Sequence, residues 1–184
     1  MAGICSYGGY VPRYRLNRGM IFGAMGWMNA ANLANARGEK AVASFDEDSI
    51  TMAVAAGIDA LRGIDPSRVA GVYLASSTLP YKERLNAGIV SCALGMEDQV
   101  RAADFTGGLK AGTTALLAAL DGVESKRVHS LLVTAADCRL GKPASPQEMI
   151  FGDAAAALLV GRENVIAEFK DSYSVTYDFG DHFR

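Results

Sequence analysis

The stretch Asp104-Phe-Thr-Gly-Gly-Leu109-Lys-Ala-Gly-Thr-Thr-Ala-Leu-Leu-Ala-Ala-Leu120 reads as a strand end, a tight glycine turn and a helix. From Leu109 to Leu120 the only charge is Lys110, and Ala and Leu side chains cover every helical face. A helix without a polar side is buried in a protein or in a membrane. The ten residues between Lys110 and Asp121 are too few to span a bilayer. Residues 109–122 are therefore expected between two layers of other structure, with Gly107 and Gly108 presenting the helix N-terminus. The unpaired N–H groups and partial positive charge there suit a thiolate or an oxyanion.

At 184 residues, half of them apolar and 21% charged, the chain has the length and composition of one globular domain. A net charge of −2 offers nucleic acid no basic patch and a membrane no polybasic anchor. Cys5, Cys92 and Cys138 are odd in number and widely spaced, which fits a reducing cytoplasm and gives no metal-ligand pattern. The opening Met1-Ala-Gly-Ile-Cys-Ser6 lacks a basic region and a continuous apolar run, so no signal peptide is expected.

Residues 2–11 read as a first strand closed by Pro12, and Arg13, Arg15 and Arg18 as a solvated face. Asp46-Glu-Asp-Ser49 supplies acidic caps for a helix whose buried stripe is Ile50, Val54, Ile58 and Leu61. Residues 69–75 are a continuous apolar strand of the kind found in a parallel sheet covered on both faces. They lead into Ser76-Ser-Thr78 and a loop on which Glu83 reads as a solvated charge. A short helix from Asn86 to Leu94 carries Cys92, read as a buried small hydrophobe, and Gly95 stops it. Residues 99–105 and 128–136 are further strands, and His129 reads as structural. Phe151-Gly-Asp153 turns into another strand, Asp153 tying down the turn through its carboxylate. Residues 165–177 read as a long final strand, and 178–184 as a tail containing His182.

Several of these segments together resemble the thiolase superfamily, in its hydroxymethylglutaryl-CoA synthase and ketoacyl-ACP synthase III branch. They are Gly9-Tyr-Val-Pro-Arg13-Tyr-Arg-Leu16, Asp46-Glu-Asp-Ser-Ile-Thr-Met52, Asp104 with Lys110-Ala-Gly-Thr113, and Phe151-Gly-Asp153-Ala-Ala-Ala-Ala157. The resemblance spans residues 1–184 as the N-terminal half of the fold. It implies an α/β architecture: a five-stranded mixed sheet, helices on both faces and the central helix buried between layers. The other half, which brings the catalytic His and its Asn or second His, is not found in this sequence, and His182 lies at the wrong place for it.

In the family's frame the nucleophilic cysteine stands five residues after the strand-end Asp, which is Leu109 here; the acid/base glutamate position is Ser77. Neither residue type can do the corresponding chemistry. The resemblance further implies coenzyme A thioester as substrate or ligand, no other cofactor and no metal. Its contacts would come from Trp27 and Arg37, with Lys40 nearby, since aromatics suit adenine stacking and arginine suits phosphate. Thr106, Gly107, Gly108, Lys110, Gly152 and Asp153 complete the expected binding set. The alternative for Trp27 is a side chain that covers core.

Two functions follow. The first is a component of an acyl-CoA condensing enzyme, performing Claisen-type acyl transfer with a C-terminal half or second thiolase-fold subunit. The second is a non-catalytic thiolase-fold subunit that scaffolds or binds acyl-CoA for a separate thiolase partner. In both, oligomerisation is expected through an edge strand at 99–105. A dinucleotide-binding domain is excluded, because no G-x-G-x-x-G follows the first strand.

Overall fold

A computed structural model describes residues 1–177. In chain order the elements are β1 (Gly3–Tyr10), β2 (Tyr14–Asn17), α1 (Arg18–Met25), β3 (Glu39–Val42), α2 (Ser49–Ala60), β4 (Gly71–Ala75), α3 (Asn86–Ala93) and β5 (Arg101–Phe105). They continue with α4 (Ala111–Glu124), β6 (Leu131–Asp137), α5 (Pro146–Ile150), β7 (Ala154–Gly161) and β8 (Ala167–Glu168). The main sheet has the order β5-β4-β6-β7-β1-β8. The β4–β5 and β4–β6 pairs are parallel, and the β6–β7, β7–β1 and β1–β8 pairs antiparallel. β2 and β3 form a separate ribbon.

Side-chain alternation sorts the core into two halves. Val72, Leu74, Leu132, Ala136, Ala155, Ala157 and Leu159 face α2 and α3, while Ala75, Leu131, Val133 and Val160 face α4. The first expectation to be corrected is the strand number: the main sheet has six strands, not five. The sixth, β8, is all that the sequence 165–177 contributes. Ala167 and Glu168 pair with Ile4 and Gly3, and beyond them Tyr173, Val175 and Tyr177 are exposed. The aromatic and β-branched residues there favour a strand, but a strand forms only where a neighbour offers a ladder. The tail at 178–184, His182 included, lies outside the described residues.

α2 starts where its caps predict. Asp48 Oδ1 accepts from the Thr51 N–H at 2.8 Å, and Thr51 Oγ1 accepts from the Asp48 N–H at 2.7 Å. Its buried stripe differs from the expected one, because Ile58 is exposed. The face on the sheet is made of Ser49, Ile50, Met52, Ala53, Ala56, Gly57 and Ala60. These small side chains allow a close approach to β1: a Cβ on Gly8 would lie 2.3 Å from the Ala60 nitrogen.

α4 lies on the opposite face and buries Ala115, Ala119, Leu120 and Val123. Unlike the expectation of cover on every side, Thr113, Thr114, Asp121 and Glu124 form one solvent-facing strip, with Leu116, Leu117 and Ala118 half-buried beside it. The sequence offers two Thr and an Asp for that strip, which the count of Ala and Leu overlooks. β5, the strand leading into this motif, is an edge strand. Among the described residues no helix is long and apolar enough to cross a membrane.

Candidate functional site

Parallel strands β4 and β6 end side by side, antiparallel β7 begins next to them, and α4 starts above. Crevices at the carboxyl ends of parallel strands are the usual ligand sites of such sheets. Here the crevice is an open cleft of about 340 Å³. Ala75, Ala135, Ala154 and Ala156 form its floor; Gly108, Leu109, Ala111 and Gly112 form the wall at the head of α4; Ser76, Ser77 and Asp137 supply its polar side. The two positions assigned to nucleophile and acid/base, Leu109 and Ser77, therefore line one cleft although 32 residues separate them in sequence.

Leu109 is held there by the glycine turn. Gly107 has φ +84°, a left-handed conformation that strains other residues, and Leu109 itself is 66% exposed. Lys110 precedes the first helical residue and accepts through its carbonyl from Thr113 and Thr114 Oγ1 at 2.9 and 3.0 Å. No side chain caps the α4 N-terminus, and the Ala111 N–H donates to the Gly108 carbonyl at 3.1 Å, so the Gly112 and Thr113 N–H groups remain for solvent or a ligand.

Asp137 organises the polar side, and the sequence analysis passed over it. Its Oδ1 accepts from Ser76 Oγ (2.9 Å), the Ser77 N–H (2.7 Å), Ser77 Oγ (3.1 Å) and Thr78 Oγ1 (3.1 Å). Thr78 Oγ1 in turn accepts from the Cys138 N–H at 3.1 Å, and Ser76 Oγ from the Thr78 N–H at 2.9 Å. The loop after β4 is thus tied to the end of β6. The available signal was an aspartate directly following an apolar strand, opposite a run of three hydroxyl residues.

Of the expected binding residues, all but Gly108 lie outside the cleft lining. Gly108 belongs to it; Thr106 and Gly107 are exposed in the turn beside it. Trp27 is 81% exposed and so does not cover core, and Arg37 is exposed before β3. Lys40 Nζ donates to the Glu148 carbonyl at 2.7 Å. Gly152 and Asp153 sit against β3: the Asp153 N–H donates to the Ala41 carbonyl at 3.1 Å, and Asp153 Oδ2 accepts from the Ala43 N–H at 2.8 Å. Arg18, read as solvated, donates instead to the Met149 and Arg37 carbonyls. His129 Nε2 bonds the Arg68 carbonyl at 2.7 Å.

None of the three thiols lines the cleft. Cys138, next to Asp137, packs with the core on the α2 side of the sheet. Burial pushes its thiol above the usual range, as it does that of Cys5, which disfavours the reactive thiolate. Cys92 is exposed on α3, contrary to its reading as a buried hydrophobe. Among the described residues no group of His, Cys, Asp and Glu is arranged to hold a metal ion.

A mixed sheet with α2 and α3 on one face, α4 on the other and an edge strand feeding α4 is one half of a thiolase-like fold. It superposes on 3-oxoacyl-(acyl-carrier protein) synthase from Burkholderia xenovorans LB400 with a TM-score of 0.80 at 16% identity, covering 89% of this chain and 49% of that one. The priming β-ketosynthase from the R1128 polyketide biosynthetic pathway gives 0.78 at 24% identity, over 90% and 51%. In sequence the chain is 38% identical over 190 residues to hydroxymethylglutaryl-CoA synthase of Methanocaldococcus jannaschii, covering 100% of this chain and 54% of the relative. The figures for the same enzyme of Methanosarcina mazei are 39% over 188 residues, 99% and 54%. No protein-family model matches. The chain is similar along its whole length to hydroxymethylglutaryl-CoA synthases and fits the N-terminal half of a thiolase-like fold. It spans about half the length of the curated relatives it matches.

Proposed function

We propose that this chain is the hydroxymethylglutaryl-CoA synthase-like component of an acyl-CoA condensing system, and that its cleft holds an acyl thioester without being acylated by it. The observation that carries this is the lining of the cleft. A leucine stands at the head of α4, where acyl transfer needs a thiol, and a serine stands across from it, where proton transfer needs a carboxylate. The losses concern different steps, so one compensating side chain does not restore both. The uncapped α4 N-terminus is still suited to polarise a thioester carbonyl. Trp27, Arg37 and Lys110 are the proposed contacts for the coenzyme A moiety.

The carbon–carbon bond is then made elsewhere, by a C-terminal half or a second thiolase-fold subunit. The half-buried Leu116, Leu117 and Ala118 of α4 and the edge of β5 are the surfaces proposed for that association. Isothermal titration of acetyl-CoA into the purified protein tests the reading. Binding is expected, together with its loss in Leu109→Arg, whose longer charged side chain fills the cleft. No binding, or binding indifferent to Leu109→Arg, overturns it.

A further inference from the structure

Side-chain alternation leaves one apolar strip of the main sheet open among the described residues. On β1 the Ser6 hydroxyl donates to the Ala60 carbonyl and Gly8 lies against the Ala60 backbone, so both point to α2. Tyr7 and Gly9 therefore point to the α4 side. On β7, Ala155, Ala157 and Leu159 belong to the α2 side, and Ala154, Ala156 and Leu158 face the other way. There Tyr7 is 72% exposed, Gly9, Ala154 and Ala156 are exposed, and Leu158 is half-buried. Tyr7 pairs with Leu158 and Gly9 with Ala156, so the strip is two strands wide, about 10 Å, which is the diameter of one helix. Gly9 is not required by its own chain: a Cβ there would meet only the Ala155 carbonyl oxygen, at 3.8 Å. A glycine of that kind suits the close approach of an outside backbone.

α4 has the converse lack. Its side turned away from the sheet presents the half-buried Leu117 next to Thr113 and Thr114, whose hydroxyls are tied back to the Lys110 carbonyl. A helix without a second sheet thus lies beside a strip of sheet without a second helix. A twofold axis between the two, parallel to α4, sets each copy's α4 on the other's strip and covers both surfaces at once. Such an axis keeps heights along α4 unchanged, so the contacts follow from the chain's own register. A Cβ on Gly112 would lie 3.7 Å from the Ala135 Cβ, and one on Gly122 3.4 Å from a Leu131 methyl. Ala135 is level with Ala156 and Gly9, and Val133 with Leu158 and Tyr7. Thr113 of one copy therefore falls on Gly9 and Ala156 of the other, and Leu117 on Leu158 and Tyr7. Short side chains meet small residues, and the leucine meets the two large ones. The curated relatives are about twice as long as this chain, so a second copy is a body of the size that they add.

We infer that a second copy of this chain docks on the strip formed by β7 and β1, giving a twofold dimer in which each α4 is covered by the other copy's sheet. The inference rests on the α4 association surface proposed above and names its partner; it does not depend on what the cleft binds. Ala154 and Ala156 are also part of the cleft floor, so the head of the second copy's α4 closes the open side of each cleft.

Ala102→Pro, which blocks association through the β5 edge, isolates this contact. By sedimentation equilibrium that variant is expected to remain a dimer. Adding Gly9→Arg, which keeps the Gly9 backbone N–H, is expected to weaken the dimer at least about tenfold, the scale of an overpacked contact, with an unchanged far-ultraviolet circular dichroism spectrum. A cross-link supplies the second measurement in the otherwise native chain, with the exposed Cys92 thiol removed by Cys92→Ser. Equimolar Tyr7→Cys and Leu117→Cys chains treated with a short bis-maleimide are expected to give a linked pair, and neither variant alone to do so. A monomeric Ala102→Pro, a dimer indifferent to Gly9→Arg, or no linked pair in the mixture overturns the second copy as partner and leaves the α4 surface to a C-terminal half. Failure of acetyl-CoA to bind a chain that is still dimeric overturns the ligand reading alone.

Discussion

Asp104, near the end of β5, caps the helix that begins with Asn86. Its Oδ2 accepts from both the backbone N–H and the side-chain Nδ2 of Asn86 at 2.8 Å, and Oδ1 accepts from the Ala87 N–H at 2.7 Å. No local side chain caps α3, so the Asn86 and Ala87 N–H groups depend on this carboxylate, while the Nδ2 of the buried Asn86 also donates to the Tyr81 and Arg84 carbonyls at 2.9 and 3.1 Å. Asp104→Ala is expected to destabilise the protein by roughly 3 kcal/mol, the scale of a lost cap plus hydrogen bonds to a charged acceptor. Urea unfolding measures it; a change below about 0.5 kcal/mol would show that water replaces the carboxylate.

The same residue illustrates what the sequence made legible. The run from Asp104 to Leu120 carries its own punctuation, a strand end, two glycines and an apolar helix, and all three appear in that order. The acidic helix cap within Asp46–Ser49 and the stop at Gly95 are equally local and formed as read, the cap being Asp48, which the structure closes into a capping box with Thr51. What was missed depends on partners distant in sequence. Residues 165–177 have strand-forming side chains, yet only Ala167 and Glu168 meet a neighbour. Ile58 fits a helical stripe by spacing, but the sheet meets the adjacent face, where alanines permit close packing. Asp137 gave no periodic signal at all, since its role arises only when the ends of β4 and β6 come together. Leu109 and Ser77 were paired by resemblance, and their common cleft is a fact of the fold.

Acid stability should depend on Glu124. Its carboxyl is held below the usual glutamate range, chiefly by the Ala2 N–H and further by the Arg162 guanidinium. A depressed carboxylate pKa contributes stability above the unfolded-state value of about 4.3, lost as pH falls through the folded-state value. The melting temperature of the wild type should therefore fall more steeply between about pH 5 and pH 3 than that of Glu124→Gln. Parallel profiles would show that the contact has no bearing on folding.

Trp27 is the single tryptophan of the chain and is 81% exposed, so its fluorescence reports on one place. If it stacks on the adenine of coenzyme A, titration with CoA should quench the emission saturably. Trp27→Ala should weaken binding by at least about threefold, the lower end of an aromatic stacking contribution. Saturable binding by calorimetry with unchanged emission would remove Trp27 from the site.

Association through β5 should be open to a single substitution. The Arg101 N–H and the Phe105 carbonyl bond to the β4 side, so by alternation the Ala102 N–H points away from the sheet. Ala102→Pro removes that outward donor without breaking a β4 bond. The wild type is expected to be larger than a monomer by light scattering at micromolar concentration, and Ala102→Pro to be smaller. An unaltered assembly would place the contact elsewhere.

Leu109 at the head of α4 is the centre of the account, and intact mass spectrometry reads its consequence directly. After incubation with acetyl-CoA the wild-type chain is predicted to keep its unmodified mass. Leu109→Cys, whose thiol stands at an open helix N-terminus that favours the thiolate, is predicted to gain one acetyl group. A stoichiometric acetyl adduct on the wild type, at Cys5, Cys92 or Cys138, would contradict the claim that this cleft holds a thioester without being acylated.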